Sequence, residues 1–159
     1  DRINIAHEEL IQAMKRVDIV VINDGEATML AGTDNLVQAA KEVQLMASIP
    51  TLIIKKGEHG VLALHGNDVI ALPAYPTDVV VDPTGCGDTF AGTLAACLAN
   101  GDGAVSATEL REALVHATVS ASFTLEDFGT KGIESISIDT YQHRLLRYCT
   151  ITGTSINTT

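Results

Sequence analysis

An α/β layered domain with a mainly parallel sheet is what this sequence predicts. Short, almost wholly apolar runs rich in β-branched residues, Asp18–Ile22 and Thr51–Lys55, have the pattern of strands covered on both faces. Stretches of helical period, His7–Arg16 and Asp34–Ser48, sit before and between them. Gly, Pro, Asn and Asp mark the changes of period. Strand and helix therefore alternate, as they do where crossover helices cover a sheet.

The elements follow in order. In His7–Arg16, Leu10, Ile11 and Met14 share one stripe. Asn23-Asp24-Gly25-Glu26 ends the first strand, and a short helix runs from there through Leu30 until Gly32 stops it. Asp34–Ser48 turns Leu36, Ala39, Ala40, Val43 and Ala47 inward, with Lys41 and Glu42 toward water. Pro50 breaks the chain before the strand Thr51–Lys55. Val61–Leu64 and Val69–Leu72, joined through His65-Gly66-Asn67-Asp68, have hairpin spacing. Val79–Val81 reads as a further strand, ended by Asp82-Pro83. A helix rich in small residues runs from Gly87 to Asn100, with Gly101 as its stop. Its Gly92, Ala95, Ala96 and Ala99 share a face suited to lying close against the sheet. Ser106 and Glu109 have capping-box spacing at the head of a long helix that reaches about Leu125. Glu126–Ile133 is expected as loop and Ile138–Tyr148 as the last helix. The Thr- and Ser-rich stretch 150–159 is expected as a flexible tail. With no internal repeat or linker, one domain is the simplest organisation.

Composition excludes several function classes. The 159 residues suffice for one domain with a real core. Hydrophobic residues at 46% and charged residues at 19%, with no low-complexity tract, rule out a disordered or fibrous chain. Lys and Arg number 10 against 20 Asp and Glu, a formal charge of -10, which argues against a nucleic-acid surface. Phosphate recognition must then be local. Val17–Ile22, interrupted by Asp18, is far too short to span a bilayer, and no basic-then-apolar leader is visible. Cys86, Cys97 and Cys149 form no CxxC pair, which points to a reducing compartment and away from disulfides or structural zinc. A soluble, acidic, cytoplasmic protein with no nucleic-acid or membrane partner is expected.

Ligands in open α/β sheets bind beyond the carboxyl ends of the strands, and three polar motifs occupy such ends. The longest is Asp82-Pro83-Thr84-Gly85-Cys86-Gly87-Asp88-Thr89-Phe90-Ala91-Gly92, between a strand and a helix. Gly85 and Gly87 permit close main-chain approach, and the amides from Gly85 to Asp88 would converge at the positive end of the helix dipole. A carboxylate there, Asp88, is placed to act as base for a hydroxyl beside an anion hole. A glycine turn with a capping Asp is the plainer explanation. No Gly-Lys-Ser/Thr follows, so this is not a Walker loop, and the third glycine of a dinucleotide fingerprint is missing. In Asn23-Asp24-Gly25-Glu26, Asn23 and Glu26 would suit a hydrated Mg2+, yet they also have capping-box spacing, the stronger local explanation. Lys55-Lys56-Gly57-Glu58-His59-Gly60 suits a phosphate approach or an ordinary solvated turn equally well.

Taken together and in order, these motifs resemble the C-terminal half of the PfkB, or ribokinase-like, family of carbohydrate kinases. Asp82–Gly92 matches the family's second signature, with Cys86 in the usual Ala position. Asn23 and Glu26 match its Asn-x-x-Glu, and Lys55, Gly57 and Gly60 match its nucleotide loop. The resemblance runs from about Asp18 to Tyr148. It implies a layered αβα ribokinase-like fold lacking the N-terminal half and lid, with residues 1–149 as the nucleotide-binding and catalytic-base portion. It implies ATP and Mg2+ as cofactors and transfer of the γ-phosphoryl group to a sugar or related small alcohol. Asp88 becomes the catalytic base, and Gly85, Cys86 and Gly87 the anion hole. Asn23 and Glu26 would organise Mg2+ through water. Lys55, Gly57, Gly60 and Thr84 would line the ATP site, with His116 near the adenine. Some members take a monovalent cation near residues matching Asp82 and Thr84. Cys86 is expected to be a small thiol without chemistry.

The first glycine signature and most acceptor contacts of the family have no match here, so a fragment, a truncated gene product or a chain completed by a partner is expected, poorly active alone. A nucleoside kinase of the same family, or a non-catalytic nucleotide-binding or assembly module, are the alternatives. An exposed sheet edge would favour pairing into a homodimer.

Overall fold

The structure is a computed structural model and describes residues 2–99 and 103–156. The chain divides into two compact units, Asp1–Ala71 and Leu72–Thr159.

The first unit opens with α1 (Arg2–Met14), which starts earlier than the periodicity suggests. There follow β1 (Ile19–Asn23), α2 (Asp24–Ala31), α3 (Leu36–Ala47), β2 (Thr51–Lys55), β3 (Val61–His65) and β4 (Asp68–Leu72). The strands lie in the order β1-β2-β3-β4. β1 and β2 are parallel, with Ile19 opposite Thr51 and Asn23 opposite Lys55. β2 and β3 are antiparallel, Thr51 opposite His65. The sheet is thus mixed, not mainly parallel. Residues 56–60 are too few for a crossover, so β3 must return alongside β2.

One face of this sheet carries a contiguous core. Ile11 and Met14 of α1 and Ala40, Val43 and Ala47 of α3 pack with Val20, Ile22, Leu52, Ile54, Leu62 and Leu64. Ile53, Val61 and Ala63, which alternate to the other face, are buried as well. That double burial explains the unbroken apolar strands. Asn35 caps α3 by accepting from the Gln38 N–H at 3.0 Å, and Gly32 closes α2 in the left-handed region at φ +66°.

The second unit is helical among its described residues beyond β4: α4 (Cys86–Leu98), α5 (Ala107–Thr124), α6 (Lys131–Glu134) and α7 (Ile138–Thr152). α5 is the buried centre, with Leu110, Ala113, Leu114, Val115, Ala117 and Val119 all inside. Its capping box forms as read. The Glu109 N–H donates to Ser106 Oγ at 3.2 Å, and the Ser106 N–H to Glu109 Oε2 at 2.8 Å. Phe90 and Leu94 of α4 and Leu145 and Tyr148 of α7 are also buried. The Tyr148 hydroxyl donates to the Pro73 carbonyl at 2.6 Å, and burial pushes its pKa up to about 12, so it remains a donor at neutral pH.

Four expectations need correction. Val79–Val81 is not a strand; the three valines are 48%, 65% and 41% exposed. No strand pairs with them among the described residues, and the N–H groups of Val81 and Asp82 go instead to the Leu125 carbonyl, at 2.9 and 3.3 Å. Gly92, Ala95, Ala96 and Ala99 are exposed, because α4 turns Phe90 and Leu94 inward instead. The expected loop 126–133 contains the start of α6. Finally, α7 continues through Thr152 to a Gly153 cap at φ +65°, so the polar tail is helical where it begins. The expected stop at Asn100 and Gly101, and residues 157–159, lie outside the described residues. Among the described residues no helix is long and apolar enough to cross a membrane.

The burial pattern makes a simple prediction. Leu114, fully buried, should cost about 2–5 kcal/mol on replacement by Ala. Leu146→Ala on α7, at a site 58% exposed, should stay within about 0.5 kcal/mol of the wild type. Urea unfolding midpoints compare the two.

Candidate active site

In the second unit, the signature Asp82–Gly92 folds as a turn that opens α4. Gly85 is the N-cap residue at φ +85° and ψ −9°, a left-handed conformation that favours glycine. The turn is held from both sides. The Thr84 N–H donates to Asp82 Oδ1 at 2.9 Å, the Cys86 N–H to the Pro83 carbonyl at 3.2 Å, and the Thr89 N–H to the Gly85 carbonyl at 2.9 Å. Hydrogen bonds from Thr84 hold the Asp82 carboxyl below the usual range.

The N–H groups of Gly85, Gly87 and Asp88 find no acceptor among the described residues. They are the unsatisfied donors of a helix start, where the dipole favours negative charge. Cys86 differs from expectation because its amide is committed to Pro83. Burial, with the nearby Asp82 charge, pushes the Cys86 thiol up, so it is no thiolate nucleophile at neutral pH. Asp88 is exposed in the first turn of α4, and Thr84 is exposed at the turn before it. Thr89 Oγ1 meets Thr124 Oγ1 at 2.9 Å, tying α4 to the end of α5.

His116 lies midway along α5, in a groove that Thr89, Gly92 and Thr93 of α4 line from one side and Tyr141 of α7 from another. Its Nδ1 shares a 2.8 Å hydrogen bond with the Tyr141 hydroxyl, and the two rings stack at 6.1 Å. Burial pulls the His116 pKa down, partly opposed by Glu112, which favours the neutral ring.

In the first unit, the parallel register sets Asn23 beside Lys55 at the carboxyl ends of β1 and β2. Asn23 and Glu26 form the capping box of α2. The Asn23 N–H donates to Glu26 Oε2 and the Glu26 N–H to Asn23 Oδ1, both at 2.8 Å. Glu26 Oε1 keeps no partner among the described residues and is exposed, as is Asp24. Oxygen donors of this kind fit Mg2+ held through its waters. Among the described residues no group of three His, Cys, Asp or Glu is placed to hold a metal ion. Beyond Lys55, Gly57 at φ +54° and Gly60 at φ +87° bound a tight turn in which the Lys56 N–H donates to the Gly60 carbonyl at 2.7 Å.

Comparison with known proteins decides the family. Residues 3–136 match the pfkB family carbohydrate kinases. The chain belongs to the PfkB family of carbohydrate kinases. It is 39% identical over 85 residues to the cytidine kinase of Thermococcus kodakarensis, covering 52% of this chain and 30% of that protein. With the bifunctional protein HldE of Pseudomonas paraeruginosa it shares 32% identity over 153 residues, 81% of this chain and 31% of that one. The fold superposes on aminoimidazole riboside kinase from Salmonella enterica, solved with aminoimidazole riboside and an ATP analogue. There the TM-score is 0.77 at 23% identity, over 88% of this chain and 46% of the other. This PfkB chain thus spans 30% and 31% of these two curated relatives and 46% of that solved chain.

Sequence reasoning named Thr89 only within the signature and did not anticipate Thr93 and Tyr141 beside His116 or Thr124 beside Thr89. Thr89 and Thr124 lie 35 positions apart, so only packing joins them.

Two predictions follow from the geometry. Gly85→Ala should lower stability by about 1–2 kcal/mol through the left-handed backbone alone, since a Cβ there meets only Thr124 Cγ2 at 3.6 Å. Gly92→Ala, mid-helix in open space, should raise stability by about 0.5–1 kcal/mol, and urea unfolding reads both signs. His116 contributes stability that is complete above its unfolded pKa, about 6.5, and lost as pH falls through the lowered folded value. The wild type's advantage over His116→Gln should therefore shrink as pH falls below that point, which denaturation across pH measures.

Proposed function

We propose that this chain carries the nucleotide side of an ATP-dependent phosphotransferase, which moves the γ-phosphoryl group to a hydroxyl of a sugar or related small alcohol. The observation that carries this reading is Asp88, exposed in the first turn of α4 beside the unpaired amides of Gly85, Gly87 and Asp88. In the reading, Asp88 accepts the acceptor's hydroxyl proton. A carboxylate is a far weaker base than an alkoxide, so the proton moves late, as the new P–O bond forms. The amides stabilise charge growing on the transferred group, and they are fixed before reaction, so little reorganisation is needed. Cys86 shapes the turn, its N–H given to the Pro83 carbonyl.

Residues 1–149 would form the nucleotide-binding and catalytic-base portion of the domain. Lys55, Gly57, Gly60 and Thr84 would border the phosphates, and His116 the adenine. Asn23 and Glu26 would orient waters of Mg2+, which when bound offsets phosphate charge. A monovalent cation would sit near Asp82 and Thr84. The three cysteines are all free, consistent with a cytoplasmic setting.

A nucleoside acceptor is a specific second reading. The likeness to a cytidine kinase and to the fold of a riboside kinase favours it.

Replacing Asp88 with Asn tests the proposal. Phosphoryl transfer from labelled ATP to a panel of sugars and nucleosides should fall about 10²–10⁴-fold. Calorimetric ATP affinity should stay unchanged. Equal transfer by wild type and variant would remove Asp88 from the chemistry, and absence of ATP binding would remove the reading altogether.

A further inference from the structure

Residues 73–85 belong to no helix or strand, yet they deliver the chain into the Gly85 turn. Something outside the segment must set their path. Resting on the phosphotransfer reading above, we propose that Thr77, Glu126 and Arg144 are positioning residues that hold the anion-hole turn in register with Asp88.

The connection is continuous. The Arg144 guanidinium of α7 lies 3.7 Å from the centroid of the Phe123 ring and 5.0 Å from that of Tyr75. Its Nη1 donates to Ser122 Oγ at 3.0 Å and its Nη2 to Glu126 Oε2 at 2.7 Å. The other carboxylate oxygen, Glu126 Oε1, accepts from Thr77 Oγ1 at 2.9 Å. Thr77 Oγ1 in turn accepts from the Val79 N–H at 3.1 Å. Two residues on, Val81 and Asp82 donate to the Leu125 carbonyl, and Asp82 receives the Thr84 N–H. Each bond in this series brings the chain closer to Gly85.

The chemistry suits a rigid fastening. The Arg144 and Glu126 side chains are 16% and 24% exposed, so their attraction is less screened than at an open surface. Arg stacks its flat face on the rings while its edge donates, which fixes both reach and angle. Glu126 is engaged through both oxygens, so the carboxylate cannot rotate without losing one partner. A displacement of about 1 Å at preorganised donors is enough to impair them. Thr77 is the point where this rigid pair grips the otherwise irregular segment.

The test follows the turn itself rather than turnover. Amide resonances of Gly85, Gly87 and Asp88 are recorded while the full chain is titrated with the Mg2+ complex of a non-hydrolysable ATP analogue. Wild type and Thr77→Ser, which keeps the hydroxyl, should show the same saturable shifts. Thr77→Val, similar in shape but without the hydroxyl, should bind about tenfold more weakly, with altered shifts at those amides. Glu126→Gln keeps an oxygen for Thr77 but loosens Arg144. It should fall between the two, and it carries the test if Thr77→Val does not fold. Variants that lose urea stability yet respond like wild type at the three amides overturn the positioning role. Wild-type amides that ignore the analogue overturn the phosphotransfer reading, and this inference with it.

Discussion

Thr124, Leu125 and Glu126, consecutive at the carboxyl end of α5, set the course of the chain into the glycine turn. A helix end leaves carbonyls without intrahelical partners, and a connecting segment has amides to satisfy. Both needs are met at one place: the Leu125 carbonyl takes the N–H groups of Val81 and Asp82. The result is an asymmetry between two helix termini. The negative end of α5 is occupied by donors from the chain itself, whereas the positive end of α4 keeps its amides open. Only the latter is chemically available to an anion.

A second constraint operates in the first unit, through strand register. Parallel pairing sets Asn23 level with Lys55, so two residues distant in sequence reach the same carboxyl edge of the sheet. The capping box there does not compete with a role toward a hydrated cation. It engages Glu26 Oε2 and leaves Oε1 exposed, so the cap holds the carboxylate where water-mediated contact would need it. Local helix chemistry and a binding role are satisfied by the same side chain.

Legibility followed the range of the forces involved. Thr51–Lys55 was readable to the residue, and both capping boxes were readable as spacing, because period and capping are local. The glycine turn was readable because the left-handed φ of Gly85 strongly favours glycine. Val79–Val81 misled: β-branched residues favour a strand, but propensity without a neighbour to bond gives none. The mixed sheet followed from the brevity of 56–60, a constraint visible in the sequence but outweighed there by the alternating pattern. The commitment of the Cys86 amide, the Thr89–Thr124 bond and the Glu126 fastening depend on tertiary packing, which no local pattern encodes.

The uncovered valines also bear on how the molecule behaves at high concentration. Val79, Val80 and Val81 keep in water apolar area that most cores would enclose. Against that stickiness stands a formal charge of -10, which makes neighbouring copies repel. Salt screens such repulsion and acid discharges it. Colloidal stability of the chain should therefore be greatest in dilute buffer at neutral pH.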